Sequence, residues 1–380
     1  MKVAMTPTRK TRSASSDTIT LRALNRATLA RQVLLAREKV KPLAIIERLA
    51  GLQAQWPMPP FLGLWSRVHG FERKDLVHLF EKRDAVRATM MRGTIHVVSA
   101  RDYVALRPTV TPVLERGMSS ILRGRGAALD VDTIADEARA FLAKGPATFG
   151  AIRDHLTSLH PQDDHRAMGL AVRMRLALVM APADARWAFP ADSAFTLAER
   201  WLGKKLKATD EPRALLLRYL AAFGPATTSD MQTWSGLQGL AKVVDAMRPE
   251  LRVLRGPGGR ELFDLPGAPV PSEDVQAPVR FLPAFDNLLL AYKDRTRVLA
   301  DEHRELVFPS GLRVEPTFSF DGFVAGTWRV TRKKDTATLT LSPFAKLSKS
   351  AHQELSTEAE ALIRFIEDDA GAFEVGFKKA

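Results

Sequence analysis

Gly145-Pro146-Ala147-Thr148 and Gly224-Pro225-Ala226-Thr227 are the same tetrapeptide written twice, 79 residues apart, and their flanks repeat with them. Before each copy runs a helix-length amphipathic segment, 131–144 and 211–223. Each threonine stands where a short helix opens, as a natural N-cap whose hydroxyl accepts from a free N–H of the first turn. Each copy continues into a longer helix, 165–176 or 239–248, and then into a β-prone stretch. In the first copy that stretch runs from Leu178 to Phe189. In the second it is the hairpin Leu251-Arg252-Val253-Leu254 and Glu261-Leu262-Phe263-Asp264, turned by Gly256-Pro257-Gly258-Gly259. Helix, tight turn, helix, helix, hairpin is the order of a winged helix, and a repeat of this length is one supersecondary unit used again.

A less regular third unit precedes these two. Apolar residues at helical spacing predict helices over 23–38 and 42–54, with Pro42 as a first-turn residue. Further helices are predicted over 61–69, 73–83 and 84–91, followed by the β-prone run Gly93-Thr94-Ile95-His96-Val97-Val98 and a helix capped by Ser99. After about residue 278 the texture changes to alternating segments, 312–320, 323–331 and 336–342, with Asp321-Gly322 as the clearest hairpin turn. Residues 355–368 close the chain as an amphipathic helix. The expected fold is mainly α with α+β elements: three tandem winged-helix motifs plus a small C-terminal β-barrel. Its parts are a basic, disordered lead-in over 1–20, units over 21–125, 126–205 and 206–275, and the barrel with its closing helix over 276–380.

Composition narrows the function. The chain has 380 residues, 46% of them hydrophobic and 26% charged, which is ordinary globular composition. No run approaches the roughly 18–20 apolar residues that a membrane span needs, and the start of the chain has no apolar signal core, so a cytoplasmic protein without a membrane partner is expected. Cysteine is absent, which excludes disulfides, thiolate zinc sites, cysteine-ligated clusters and cysteine nucleophiles. His155, His160 and His165 lie at spacings of five, which do not put two imidazoles on one helical face, so no metal and no cofactor is expected. Nothing resembles a dimerisation zipper, and a monomer is expected.

The formal charge is +13, and its distribution is uneven. Residues 1–130 hold 23 Lys and Arg against 10 Asp and Glu, while the other 250 residues are neutral. Concentrated basic charge is what a polyanion-binding surface needs, because neutralising phosphates releases counterions.

Two short patterns bear on chemistry. Gln53-Ala54-Gln55 sits where a helix runs out toward Pro57. In extended backbone positions i and i+2 point the same way, and a pair of carboxamides, each donor and acceptor, can hold one water in a fixed orientation. Two solvated glutamines would give the same sequence. Arg92 and His96 share a face if their segment is a strand, either toward a polar channel or within a core.

Leu29-Ala30-Arg31-Gln32, Gly51-Leu52-Gln53-Ala54-Gln55, Arg92-Gly93-Thr94-Ile95-His96-Val97-Val98 and Leu282-Pro283-Ala284-Phe285-Asp286, with Tyr292-Lys293-Asp294-Arg295, together resemble the AlkZ-like winged-helix DNA glycosylases, in order from about residue 21 to about 370. The resemblance implies a DNA-binding channel and a catalytic Gln-x-Gln of the AlkZ branch, here Gln53 and Gln55, where the YcaQ branch has Gln-x-Asp. It implies hydrolysis of the N-glycosidic bond of N7-alkylated purines in duplex DNA, bulky adducts or interstrand crosslinks included. By the same carry-over Arg92 and His96 are DNA-channel residues and Lys293 and Arg295 candidates for phosphate contact. No Schiff-base lysine is identifiable, so a monofunctional enzyme is expected. The competing reading is a non-catalytic tandem winged-helix DNA-binding protein or transcription regulator, for which Gln53 and Gln55 would be dispensable.

Overall fold

A computed structural model of the chain describes residues 18–125, 128–206, 211–310 and 313–379. In both copies of the repeat the tetrapeptide does the same two jobs. Thr148 accepts from Ala151 N and starts the helix Phe149–Leu159, and Thr227 accepts from Asp230 N and starts Thr228–Ser235. The alanine before each threonine pairs with a hairpin phenylalanine, Ala147 with Phe195 and Ala226 with Phe263. The N-terminus of one helix is thereby tied to the far strand of its own hairpin. The expected element order is present twice. Helices Val131–Leu142, Phe149–Leu159 and His165–Arg175 lead to strands Leu178–Met180 and Ala194–Leu197. Helices Arg213–Phe223, Thr228–Ser235 and Ala241–Met247 lead to strands Arg252–Arg255 and Glu261–Asp264.

The hairpins are used differently. Arg252–Arg255 and Glu261–Asp264 form a sheet of their own, whereas the strands of the two earlier segments merge into one six-stranded sheet. Its order is Leu52–Gln53, Ile95–Ser99, Ala85–Thr89, Leu178–Met180, Ala194–Leu197, Ala147–Thr148, antiparallel throughout. Alternation divides its side chains between two cores. Leu52, Ala85, Val97, Leu178 and Met180 pack with Leu114, Leu142, Leu156 and Met168. Val86, Ala88, Val98 and Val179 pack with Tyr219, Phe223 and Trp234.

Several sequence expectations are corrected here. Residues 84–91 are not a helix. The helix Arg73–Glu81 ends before Arg83, which turns the chain at φ 62°, and Ala85–Thr89 is a fully buried strand paired on both sides. Partners on two flanks outweigh weak local helical preference. The helix expected over 42–54 stops at Arg48, because Ala50 (φ 54°) and Gly51 (φ 95°) reverse the chain into the edge strand Leu52–Gln53. Gly51 is required there, since a Cβ would stand 2.7 Å from Val98 Cγ1.

The expected β-barrel is an open sheet. Ala372–Phe377 runs parallel to Thr336–Pro343, and Phe323–Lys333, Thr317–Phe320 and Arg280–Leu282 follow antiparallel, with the two end strands unpaired to each other. Closure is unnecessary because the helix Lys349–Ile366 covers one face, packing Leu355, Leu362, Ile363 and Ile366 on Phe318, Trp328, Leu339 and Leu341. Each such aliphatic side chain taken from water contributes about 1.5–3 kcal/mol.

The lead-in expected over 1–20 lies outside the described residues as far as 17, and its end is not disordered. Ile19 is buried against Leu24, Leu254 and Leu262, and Thr20 caps the helix Leu21–Arg31. That helix is locked to distant segments by Arg31, which forms a buried bidentate pair with Asp264 at 2.6 and 2.8 Å, while Gln32 donates to the carbonyl of Ala222. Among the described residues no helix is long and apolar enough to cross a membrane.

Candidate active site

The edge strand Leu52–Gln53 lies beside Ile95–Ser99 with Gln53 opposite His96, so these two side chains share the sheet face that looks toward Trp234. Gln53 is only 6% exposed. Its Oε1 accepts from Arg92 Nη2 at 2.5 Å. A guanidinium has donors only, so the amide oxygen must face Arg92, and the amide NH2 is left as the outward group. Among the described residues no acceptor takes that NH2.

Arg92 is itself held. It sits at φ 57°, and its Nη1 donates to the carbonyl of Trp234, at the end of the helix Thr228–Ser235, at 2.5 Å. Burial lowers its guanidinium to about 10, which leaves it cationic at neutral pH. It borders an open cleft of about 860 Å³ lined also by Arg116, Ser119, Ser120, Arg123 and Gln238.

His96, expected in a DNA channel, is wholly buried and offers no ring atom to the surface. Its Nδ1 lies 3.1 Å from the carbonyl of Thr94, so that nitrogen carries the proton and Nε2 is a buried acceptor without a partner. Burial first, and the nearby Arg92 cation second, push the imidazole down to about 3. At neutral pH it is uncharged.

Gln55 differs from Gln53 in being exposed. Its Oε1 makes a long contact of 3.5 Å with the N–H of Ile95. Both glutamines thus address one short segment, residues 92–95. The backbone beneath them is fixed from four sides. Ala54 N donates to Ile95 O at 2.7 Å. Arg87 donates to the carbonyls of Ala54 and Gln55 at 3.1 and 3.3 Å, its guanidinium lying over Phe189. Asn287 donates to Gly51 O at 3.1 Å, and Trp56 meets Phe285 edge to face with centroids 5.1 Å apart. Phe285 and Asn287 flank Asp286, which is paired with Arg67 in the interior by two bonds of 3.0 Å. The Leu282–Asp286 motif is therefore a buttress for the glutamine loop.

The sequence profile described as DNA glycosylase AlkZ-like matches residues 46–365. The chain belongs to the AlkZ-like DNA glycosylase family. It is an enzyme, a DNA glycosylase, and not the non-catalytic binder that charge and fold also allowed. The interstrand DNA cross-link repair glycosylase of Streptomyces sahachiroi is 26% identical over 364 residues, spanning 88% of this chain and 93% of that protein. The solved structure of Streptomyces sahachiroi DNA glycosylase AlkZ superposes with a TM-score of 0.77 at 21% identity, over 95% of this chain and all of that one, which shows a shared fold.

Within this glycosylase the other expected contacts are placed apart from the glutamines. Lys293 is exposed and borders a cleft with Thr227, Ser229 and Arg260, its backbone N–H bonded to Asp230. Arg295 is half-buried, donates to Leu289 O at 2.7 Å and lies over Phe308, and burial lowers its guanidinium. Arg87, Trp56 and Asn287 are the site residues that sequence reasoning did not single out. Trp56 is simply the residue after Gln55, whereas Arg87 reaches the loop through strand pairing and Asn287 from the start of the helix Asn287–Leu290.

Proposed function

We propose that this glycosylase hydrolyses the N-glycosidic bond of N7-alkylated purines in duplex DNA, bulky adducts and interstrand crosslinks included, with Gln53 and Gln55 positioning the attacking water. The observation that carries this is the Arg92–Gln53 bond. It fixes an amide donor pointing outward beside the exposed Gln55, whose carbonyl oxygen is an acceptor. One water that accepts from Gln53 and donates to Gln55 is thereby aimed, with a lone pair free for the anomeric carbon.

The substrate needs little else. An N7-alkylpurine is already cationic, so when its bond to the sugar breaks the electron pair neutralises the ring and no acid is required. The oxygen of the water bonds to the anomeric carbon, its spare proton passes to solvent, and the products are an abasic site and a free alkylpurine. Oriented amide dipoles stabilise the oxocarbenium-like transition state without a shifted carboxylate. No lysine contacts either glutamine among the described residues, in keeping with a monofunctional enzyme. The name of the Streptomyces relative, an interstrand cross-link repair glycosylase, supports the bulky end of the substrate range.

In this reading the two repeats and the segment 21–125 act as three winged helices around the duplex. The Arg116 and Arg123 cleft and Lys293 take phosphates, and the enzyme works as a monomer. Such contacts weaken with salt and do not specify sequence. The test is release of base from duplex DNA carrying N7-methylguanine, followed by alkaline cleavage. Wild type should give strand breaks only after alkali, and Gln53→Ala/Gln55→Ala should give none. Tight DNA binding without base release from any N7 adduct overturns the proposal.

A further inference from the structure

Seven large apolar side chains are exposed among the described residues, and Trp56 is the only aromatic one. It follows Gln55 directly, so their Cα atoms are about 3.8 Å apart. At 49% exposure it presents much of an indole to solvent beside the catalytic loop. The ring is nonetheless positioned. Its edge-to-face contact with Phe285 covers one edge or one face at most, and Phe285 is held at φ 61° next to the buried Asp286–Arg67 pair.

Trp56 forms one wall of a cleft of about 480 Å³, a volume in the range of small-molecule sites. Met58, Val314, Trp328 and Ile366 supply further apolar wall. The thioether of Met58 is a surface that adapts to different occupants. At the rim stand Arg313 and Arg329, both exposed and neither in an ion pair among the described residues. Arg332, also at the rim, is neutralised by Glu367 and Asp369. An apolar cleft with an open aromatic wall and two uncommitted guanidiniums complements an apolar group attached to a phosphate-bearing chain.

We propose that this cleft is a subsite for the hydrophobic N7 substituent of a bulky lesion, with Trp56 as its stacking platform and Arg313 and Arg329 holding the adjoining phosphates. The assignment rests on the N7-alkylpurine reading and adds to it a determinant of substrate size. A small N7-methyl group would not reach the cleft, and a benzyl or larger aromatic group would. Offset stacking on an indole adds to the gain from the apolar area it buries.

The experiment compares wild type, Trp56→Ala and Trp56→Phe on duplexes containing N7-methylguanine or N7-benzylguanine, with kcat and KM measured separately. For Trp56→Ala the KM for N7-benzylguanine should rise about tenfold more than the KM for N7-methylguanine, a weakened loop support lowering the rates on both substrates alike. Trp56→Phe should recover most of the loss. Equal rises in KM for both substrates, or no rise for either, overturn the subsite, and so does a wild type that releases N7-methylguanine but not N7-benzylguanine. A wild type that releases neither base overturns the underlying N7-alkylpurine reading instead.

Discussion

Arg92 and Gln53 are bonded side chain to side chain at 2.5 Å, and the donor-only guanidinium determines which end of the amide turns inward. With its other terminal nitrogen committed to the carbonyl of Trp234, Arg92 is expected to act on the rate by positioning Gln53. Arg92→Met should lower kcat for N7-methylguanine release by about 10- to 100-fold, the range typical of lost alignment, with DNA affinity within about twofold. Single-turnover kinetics beside a filter-binding titration separates the two. A fall in affinity as large as the fall in rate would make Arg92 a DNA contact.

Arg87 should behave similarly through the backbone. It holds the carbonyls of Ala54 and Gln55 from the opposite sheet face, and its burial lowers its guanidinium to about 10 without discharging it. Arg87→Gln leaves those two carbonyls without their donor, at a cost of about 1–3 kcal/mol. The expected signature is a reduced kcat at unchanged KM, with partial recovery in Arg87→Lys. A variant that loses stability but keeps the kcat of wild type would reduce Arg87 to a structural role.

His96 makes stability depend on pH. Its folded value, about 3, lies below the ordinary 6.5, so between these limits the unfolded chain binds the proton and the folded chain does not. The contribution is complete above pH 6.5 and is lost progressively as pH falls toward 3, amounting to about 2 kcal/mol by pH 5. Denaturant unfolding at pH 7.5 and pH 5 should show that loss in wild type and a smaller one, by about that amount, in His96→Gln. Identical slopes for the two proteins would mean that His96 is not held neutral.

The buried pair between Arg67 and Asp286 supports the loop from below, with side chains 1% and 2% exposed. Removing one partner strands the other charge, and Asp286→Ala also uncaps the helix Asn287–Leu290. A loss of about 3–5 kcal/mol is expected in urea unfolding. An Arg67→Met/Asp286→Leu double variant should be much less destabilised than either single change.

What could be read from the chain follows how local each signal is. Thr148, Thr227 and Ser99 cap helices as their spacing implies, and the 256–259 and Asp321-Gly322 turns are where glycine places them. These depend on neighbours a few residues away. The strand Ala85–Thr89 was missed because one of its partners, Leu178–Met180, lies some ninety positions downstream. The open C-terminal sheet read as a barrel because alternation shows that strands exist but not whether the last meets the first. At the site, Gln53 and Gln55 were legible as a pattern. The burial of His96 and the service of Arg87 were not, since both depend on which strand lies alongside.

The merged sheet bears on how this enzyme can be dissected. The strand that carries Gln53 is paired to Ile95–Ser99, that strand to Ala85–Thr89, and that one in turn to Leu178–Met180. A cut between the helices Thr111–Gly124 and Val131–Leu142 would therefore not release a small independent fragment that carries Gln53. It would sever a continuous ladder of backbone bonds and leave the formerly paired edge of Ala85–Thr89 open to self-association. The glutamine loop and the first copy of the repeat are, in this sense, a single hereditary unit. Shuffling by recombination would have to carry both or neither.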